Sequence, residues 1–98
     1  MGSPANSSEL VYLGQCYFNP DYDLDAAQPI GIIWNFRRDE TASTIQSLRA
    51  ELTAILAEGH TEEDLARIWI DEADSYYDPR DDGISMREWF QRVLDGLG

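Results

Sequence analysis

Residues 43–59 read STIQSLRAELTAILAEG, and their periodicity decides the fold class. Ile45, Leu48, Leu52, Ile55 and Leu56 recur at three- and four-residue intervals, which sets them along one stripe of an α-helix with polar residues on the other side. Ser43 and Gln46 have capping-box spacing, in which each side chain satisfies the other's free backbone N–H, so the helix is expected to start there. Gly59 stands where a left-handed residue commonly closes a helix.

Working outward, the same period returns on both sides. Thr61 and Asp64 form another N-cap pair, opening a helix that carries Leu65, Ile68, Trp69 and Ala73 and ends around Ser75. Pro79 and Asp82-Gly83 mark residues 76–84 as an irregular connection, and Ser85 with Glu88 repeats the capping-box spacing. The final helix is expected to bury Met86, Trp89, Phe90, Val93, Leu94 and Leu97. Towards the N-terminus, Pro29 suits the first turn of a helix whose inner stripe is Ile30, Ile33 and Trp34. An opening helix from Glu9 presents Leu10, Leu13, Gly14, Tyr17 and Phe18 on one face and ends near Asn19-Pro20. Residues 19–28 hold no helical period and read as an ordered loop. No run shows the period-two alternation of a strand bounded by hairpin residues. The expectation is an all-α fold, a single compact domain of about five short helices over residues 9–98, behind a flexible leader of residues 1–8.

Composition narrows the functional classes. A chain of 98 residues has room for one core. Nineteen acids face seven arginines and no lysine, a formal charge of −12. That surface repels nucleic acid and anionic membranes, so neither is an expected ligand, and a basic protein is the natural partner. The competing reading is that acidity serves only solubility. Three Trp, five Tyr and three Phe within a chain that is 43% hydrophobic argue against disorder. Cys16 is the only cysteine, so no internal disulfide can form; a reducing compartment and a buried, inert thiol are expected. The apolar run Ile30 to Trp34 is far shorter than the roughly 20 residues of a membrane span, and the first residues lack a signal-peptide pattern. A cytoplasmic location follows as the expectation.

Catalysis and metal binding both lack parts. His60 is the only histidine and no lysine is present, so acid–base work would fall to carboxylates, which need a cleft that raises one pKa by burial. No enzymatic activity and no cofactor are expected. Asp78 to Ser85 has the look of a calcium loop with Gly83 in sixth place, but Arg80 then stands third and Trp89 twelfth, where ligands are required. Moving Glu88 to the twelfth place puts Tyr77 first and Pro79 third. Asp21, Asp23 and Asp25 share the one, three, five spacing, with Ala26 in the glycine position and Ile32 twelfth. A calcium-responsive module therefore stays only as an alternative, and no metal ligands are assigned.

Partner binding accounts for more of the chain. Nine acids and two arginines between Glu62 and Asp82 give −7 within 21 residues. At 100° per residue, Glu63, Asp64, Arg67, Asp71 and Asp74 share one arc away from Leu65, Trp69 and Ala73. Pairs Glu63–Arg67 and Arg67–Asp71 would soften that arc if it is an ordinary solvated face. Tyr22, Tyr76 and Tyr77 stand beside loop acids, as aromatic anchors stand beside steering charges in interfaces. Asp78, Asp81 and Asp82 can bond their own turn's N–H groups, and Asp23 or Asp25 can hold the loop before Pro29.

Two segments resemble the immunity proteins of bacterial contact-dependent growth inhibition systems, in particular a small acidic helical group of them. One is Tyr17-Phe18-Asn19-Pro20-Asp21-Tyr22-Asp23-Leu24-Asp25. The other is Tyr76-Tyr77-Asp78-Pro79-Arg80-Asp81-Asp82-Gly83-Ile84-Ser85-Met86-Arg87-Glu88-Trp89. The resemblance spans about Leu10 to Leu97. It implies a protein, monomeric when free, that binds the toxic C-terminal domain of a cognate secreted effector in the cytoplasm and neutralises it by occlusion. Such toxins are often nucleases, whose basic phosphate-binding surface an acidic inhibitor can cover. A general acidic DNA mimic is the remaining alternative. The chain departs from the family pattern at Ala26-Ala27-Gln28, at Ile30-Gly31-Ile32 and at Asp74-Ser75. The helix stripe of Glu63, Asp64, Asp71 and Asp74 is therefore expected to meet the partner more than the motif aspartates.

Overall fold

Thr41 caps the central helix, two residues ahead of the expected Ser43. In the computed structural model, which describes residues 8–22 and 28–98, helix α3 runs Ala42–Ala57 and the Thr41 hydroxyl accepts the Thr44 N–H. Both residues are good caps. Thr41 prevails because helix α2, Pro29–Asp39, ends at once before it, with the Glu40 N–H bonded to the Phe36 carbonyl. Leu48 and Leu52 are buried, Ile45, Ile55 and Leu56 pack partly buried against the core, and Gly59 takes φ +73° beyond the end.

Helix α1, Glu9–Tyr17, buries Leu10, Leu13 and Gly14, with Phe18 following as its cap. Ser8, expected in the leader, is the N-cap of α1 and accepts the Val11 N–H. The other leader residues, 1–7, lie outside the described residues. Gly14 is required by packing: a Cβ there would stand 2.2 Å from the Ala73 carbonyl oxygen. Cys16 is exposed, contrary to expectation, because it lies on the side of α1 opposite Gly14, which packs against Ala73.

Pro29 does open α2, but Trp34 does not join its inner stripe. Ile32, Ile33 and Phe36 are buried while Trp34 is 57% exposed. The run from Ile30 to Phe36 offers two apolar stripes at helical spacing, and the one completed by Phe36 meets α1 and α5. Tyr12 and Tyr17 pack on Phe36, and both phenols donate to the Glu40 carboxylate, at 2.8 and 2.6 Å.

Helix α4, Glu62–Ala66, begins with the expected capping box of Thr61 and Asp64. It then widens into a π-helical stretch, Arg67–Glu72, closed by the Ala73 N–H donating to the Ile68 carbonyl. The wider turn brings residues four apart back into line, so Leu65, Trp69 and Ala73 are all fully buried. Asp74, at φ +59°, reverses the chain. The Tyr76 N–H then bonds the Phe18 carbonyl, and a 3-10 turn, Pro79–Asp82, leads to Gly83 at φ +76°.

Helix α5, Met86–Gly96, buries Met86, Trp89, Phe90 and Val93, and Leu97 beyond its end. Ser85 accepts the Glu88 N–H, but Glu88 turns to Arg92 instead of completing a capping box. The two N–H groups ahead of it, on Met86 and Arg87, donate to the carboxylate of Glu62, at 2.7 and 3.0 Å. Helix α1 begins the same way: Glu51 of α3 accepts from the N–H groups of Glu9 and Leu10, at 2.9 and 3.1 Å, while Ser8 serves Val11. In each case a carboxylate from a neighbouring helix satisfies donors that a helix start leaves open and sits at the positive end of its dipole. Among the described residues there are five α-helices and no strand, and the radius of gyration is 12.6 Å.

Gly14→Ala is expected to lose about 1–3 kcal/mol despite alanine's better helix propensity, because the Ala73 backbone must move. Urea unfolding checks it; unchanged stability would show that α1 and the Ala73 segment separate freely. Glu51→Ala should cost about 1 kcal/mol, near 4–8 °C in Tm, and Glu62→Ala somewhat less because Glu62 is exposed. The two losses should add in the double variant.

Candidate partner-binding surface

The two signature segments meet inside the protein. Phe18 lies 5.7 Å from Trp89 and 6.0 Å from Tyr77, Tyr22 lies 5.9 Å from Phe18 and 5.8 Å from Tyr77, and Tyr77 lies 5.0 Å from Trp89. Trp69 joins them at 5.2 Å from Phe18 and donates its indole N–H to the Tyr77 carbonyl at 2.8 Å. Ser75, also buried, accepts the Tyr77 N–H. Tyr77 is thus only 4% exposed, whereas its neighbour Tyr76 is 62% exposed. Burial, with the Asp82 carboxylate beside it, pushes the Tyr77 phenol well above its ordinary range.

Several signature side chains brace this arrangement. The Tyr77 phenol donates to Asp82 at 2.9 Å. Asp78 accepts the Arg80 N–H at 3.0 Å and pairs with its guanidinium at 2.8 Å. The Arg80 guanidinium holds the Asp78 carboxyl below the usual carboxylate range, with the backbone bond adding to the effect. Arg80, the cation in the third place of the calcium frame, is therefore bound to that frame's first residue. Among the described residues no three His, Cys, Asp or Glu side chains converge as metal ligands. Arg87 donates to the carbonyls of Leu56 and His60, tying α5 to the end of α3.

The acidic arc does not stay together as one face. Glu63 and Asp71 stay together beside a shallow depression with Arg67, Ile70 and Arg80. Asp64 faces the other way, into a cleft shared with Glu51, Glu58, His60 and Glu72. Its carboxyl is held low, first by the Thr61 backbone N–H, and Arg67 approaches it at 3.4 Å. That i,i+3 pair replaces the expected Glu63–Arg67 and Arg67–Asp71 pairs. Asp74 is exposed at the chain reversal, beyond the end of the π-helical stretch, where φ +59° takes it off the helix. Asp81 and Asp21 are exposed, and the Asp21 N–H donates to the Asn19 side chain. Asp23 and Asp25 lie outside the described residues.

Besides Cys16, one more residue expected inside stands at the surface. Trp34 points outward beside a groove between the start of α2 and the end of α5. Its only sequence signal is the choice between two apolar stripes on α2.

Fold and surface define a small all-helical domain that displays fixed negative charge on separate faces. The chain belongs to the CdiI immunity protein family, which matches over residues 6–97. Its fold is shared with a chain of a solved structure described as "Crystal structure of CdiA-CT/CdiI complex from Y. kristensenii 33638", at TM-score 0.86 and 24% identity, covering 92% of this chain and 96% of that chain. No curated protein matches. Among the described residues no helix is long and apolar enough to cross a membrane.

Asp78 and Asp64 set an acid-side prediction. A carboxyl held low in the folded state stabilises the fold above its unfolded pKa, near 4, and that contribution disappears as pH falls through the lower folded value. Asp78→Asn is expected to melt below wild type at pH 7, with the gap closing below pH 4. A gap independent of pH would show that the Arg80 pair contributes nothing.

Proposed function

We propose that this chain protects its producer by binding, in the cytoplasm, the toxic C-terminal domain of a cognate contact-dependent growth inhibition effector. It acts as a monomer and by occlusion, without chemistry of its own. The observation that carries this reading is the surface charge: a −12 chain of an immunity family keeps Glu63 and Asp71 exposed on one face. The complex from Y. kristensenii supports a toxin domain as the class of partner.

A basic toxin, a nuclease above all, fits that charge. It must present Lys and Arg to phosphate, and an acidic protein laid across that surface excludes the substrate. Complementary fields can speed such an encounter by about 10- to 10³-fold at low salt. Tyr76, Asp74, Asp81 and Asp21 extend the contact from the Glu63–Asp71 face. Tyr22, Tyr77, Asp64, Asp78 and Asp82 contribute chiefly by holding the fold.

Co-expression with the toxin domain encoded beside it is expected to restore growth; continued killing by that toxin in the presence of soluble immunity protein would overturn the reading. The double variant Glu63→Gln, Asp71→Asn should associate roughly several-fold more slowly at low salt. The difference should vanish near 1 M salt, where the screening length is about 3 Å. Stopped-flow association rates check it.

A further inference from the structure

The groove beside Trp34 has a volume of about 460 Å³ and apolar walls that include Ile30, Ile84 and Trp89. Two carboxylates, Asp82 and Asp95, stand along it, each bonded among the described residues only to a neutral donor: Asp82 accepts from the Tyr77 phenol and Asp95 from the Gln91 amide. Among the described residues the one cation at the groove, Arg92, is already paired with Glu88. An apolar slot therefore carries uncompensated negative charge. The Trp34 indole, 57% exposed, adds a large apolar surface and a ring face that attracts cations. Trp89, which lines the slot, carries a buried indole N–H with no acceptor among the described residues.

We infer that this groove receives an apolar side chain of the partner protein flanked by Lys or Arg, with Trp34 as the anchor of the contact. The charge pattern selects this occupant. An uncharged apolar segment would leave Asp82 and Asp95 facing a dry interface unpaired, whereas a basic flank supplies the missing charge. The inference rests on the toxin-binding reading above and adds a second contact to it, on α2 and α5 instead of α4. Tryptophan is among the residue types whose truncation most often weakens an interface.

The test is titration of the full chain with the toxin domain encoded beside it, comparing wild type with Trp34→Ala, Trp34→Phe and Asp95→Asn. Thr53→Ala on the exposed side of α3 is the control. Trp34→Ala should weaken binding about 30-fold or more, Trp34→Phe less, and Asp95→Asn by a few-fold that fades as salt rises. Trp34 and Asp95 are exposed, so their melting temperatures should stay near wild type. If wild type binds the toxin and Trp34→Ala binds within twofold of it, the groove inference fails alone. If wild type does not bind, the toxin-binding reading fails and takes the groove with it. Sedimentation of wild type as a dimer that Trp34→Ala dissolves would give the groove to a second copy and overturn the inference.

Discussion

The bond from the Trp69 indole to the Tyr77 carbonyl, with the aromatic cluster around it, is the constraint on which the other parts depend. Residues 73–78 follow no helix or strand, yet Ala73, Ser75 and Tyr77 are buried. Backbone in such a place must find partners inside the protein or forfeit about 1–3 kcal/mol for each polar group left open. Trp69 supplies one, the Ser75 hydroxyl another and the Phe18 carbonyl a third. Once the segment is fixed, Tyr77 can stack on Phe18 and pack edge-to-face with Trp89, and α1, α4 and α5 share one core.

The negative charge of the chain then divides by task. Glu51, Glu62 and Asp64 meet the free N–H groups of helix starts; Glu40 gathers two phenols; Asp78 and Asp82 hold the turn before α5. These carboxylates brace a small domain whose core alone is modest. Among the described residues Glu63 and Asp71 accept no bond of this kind and keep their charge for the solvent side. The division explains why an acidic motif and an acidic interface need not coincide. Of the signature aspartates, Asp78 and Asp82 are bound to their own turn, while the less conspicuous helix face of Glu63 and Asp71 carries charge outward.

Much of this was legible in the amino-acid order. Five helices follow from period and caps, since Thr61, Ser85, Pro29 and Gly59 act through their own backbone neighbourhood, and the buried faces of α3 and α5 follow from spacing alone. Local chemistry of this kind needs no partner across the fold. Where two local solutions were equally good, as with Thr41 against Ser43 or the two stripes of α2, the order of residues could not choose. Trp34 went outward for that reason.

The sequence by itself thus determined the helical class, the strong negative charge and the two aromatic–aspartate segments that mark the family. Only the tertiary structure decided that those segments meet, that Glu51 and Glu62 cap helices other than their own, and that Asp64 parts from Glu63 and Asp71. The physical reason is the range of the interactions. Periodicity and capping act within a few residues, whereas Glu51 reaches Glu9 and Glu62 reaches Met86 across 42 and 24 positions, through contacts that exist only once the chain has folded.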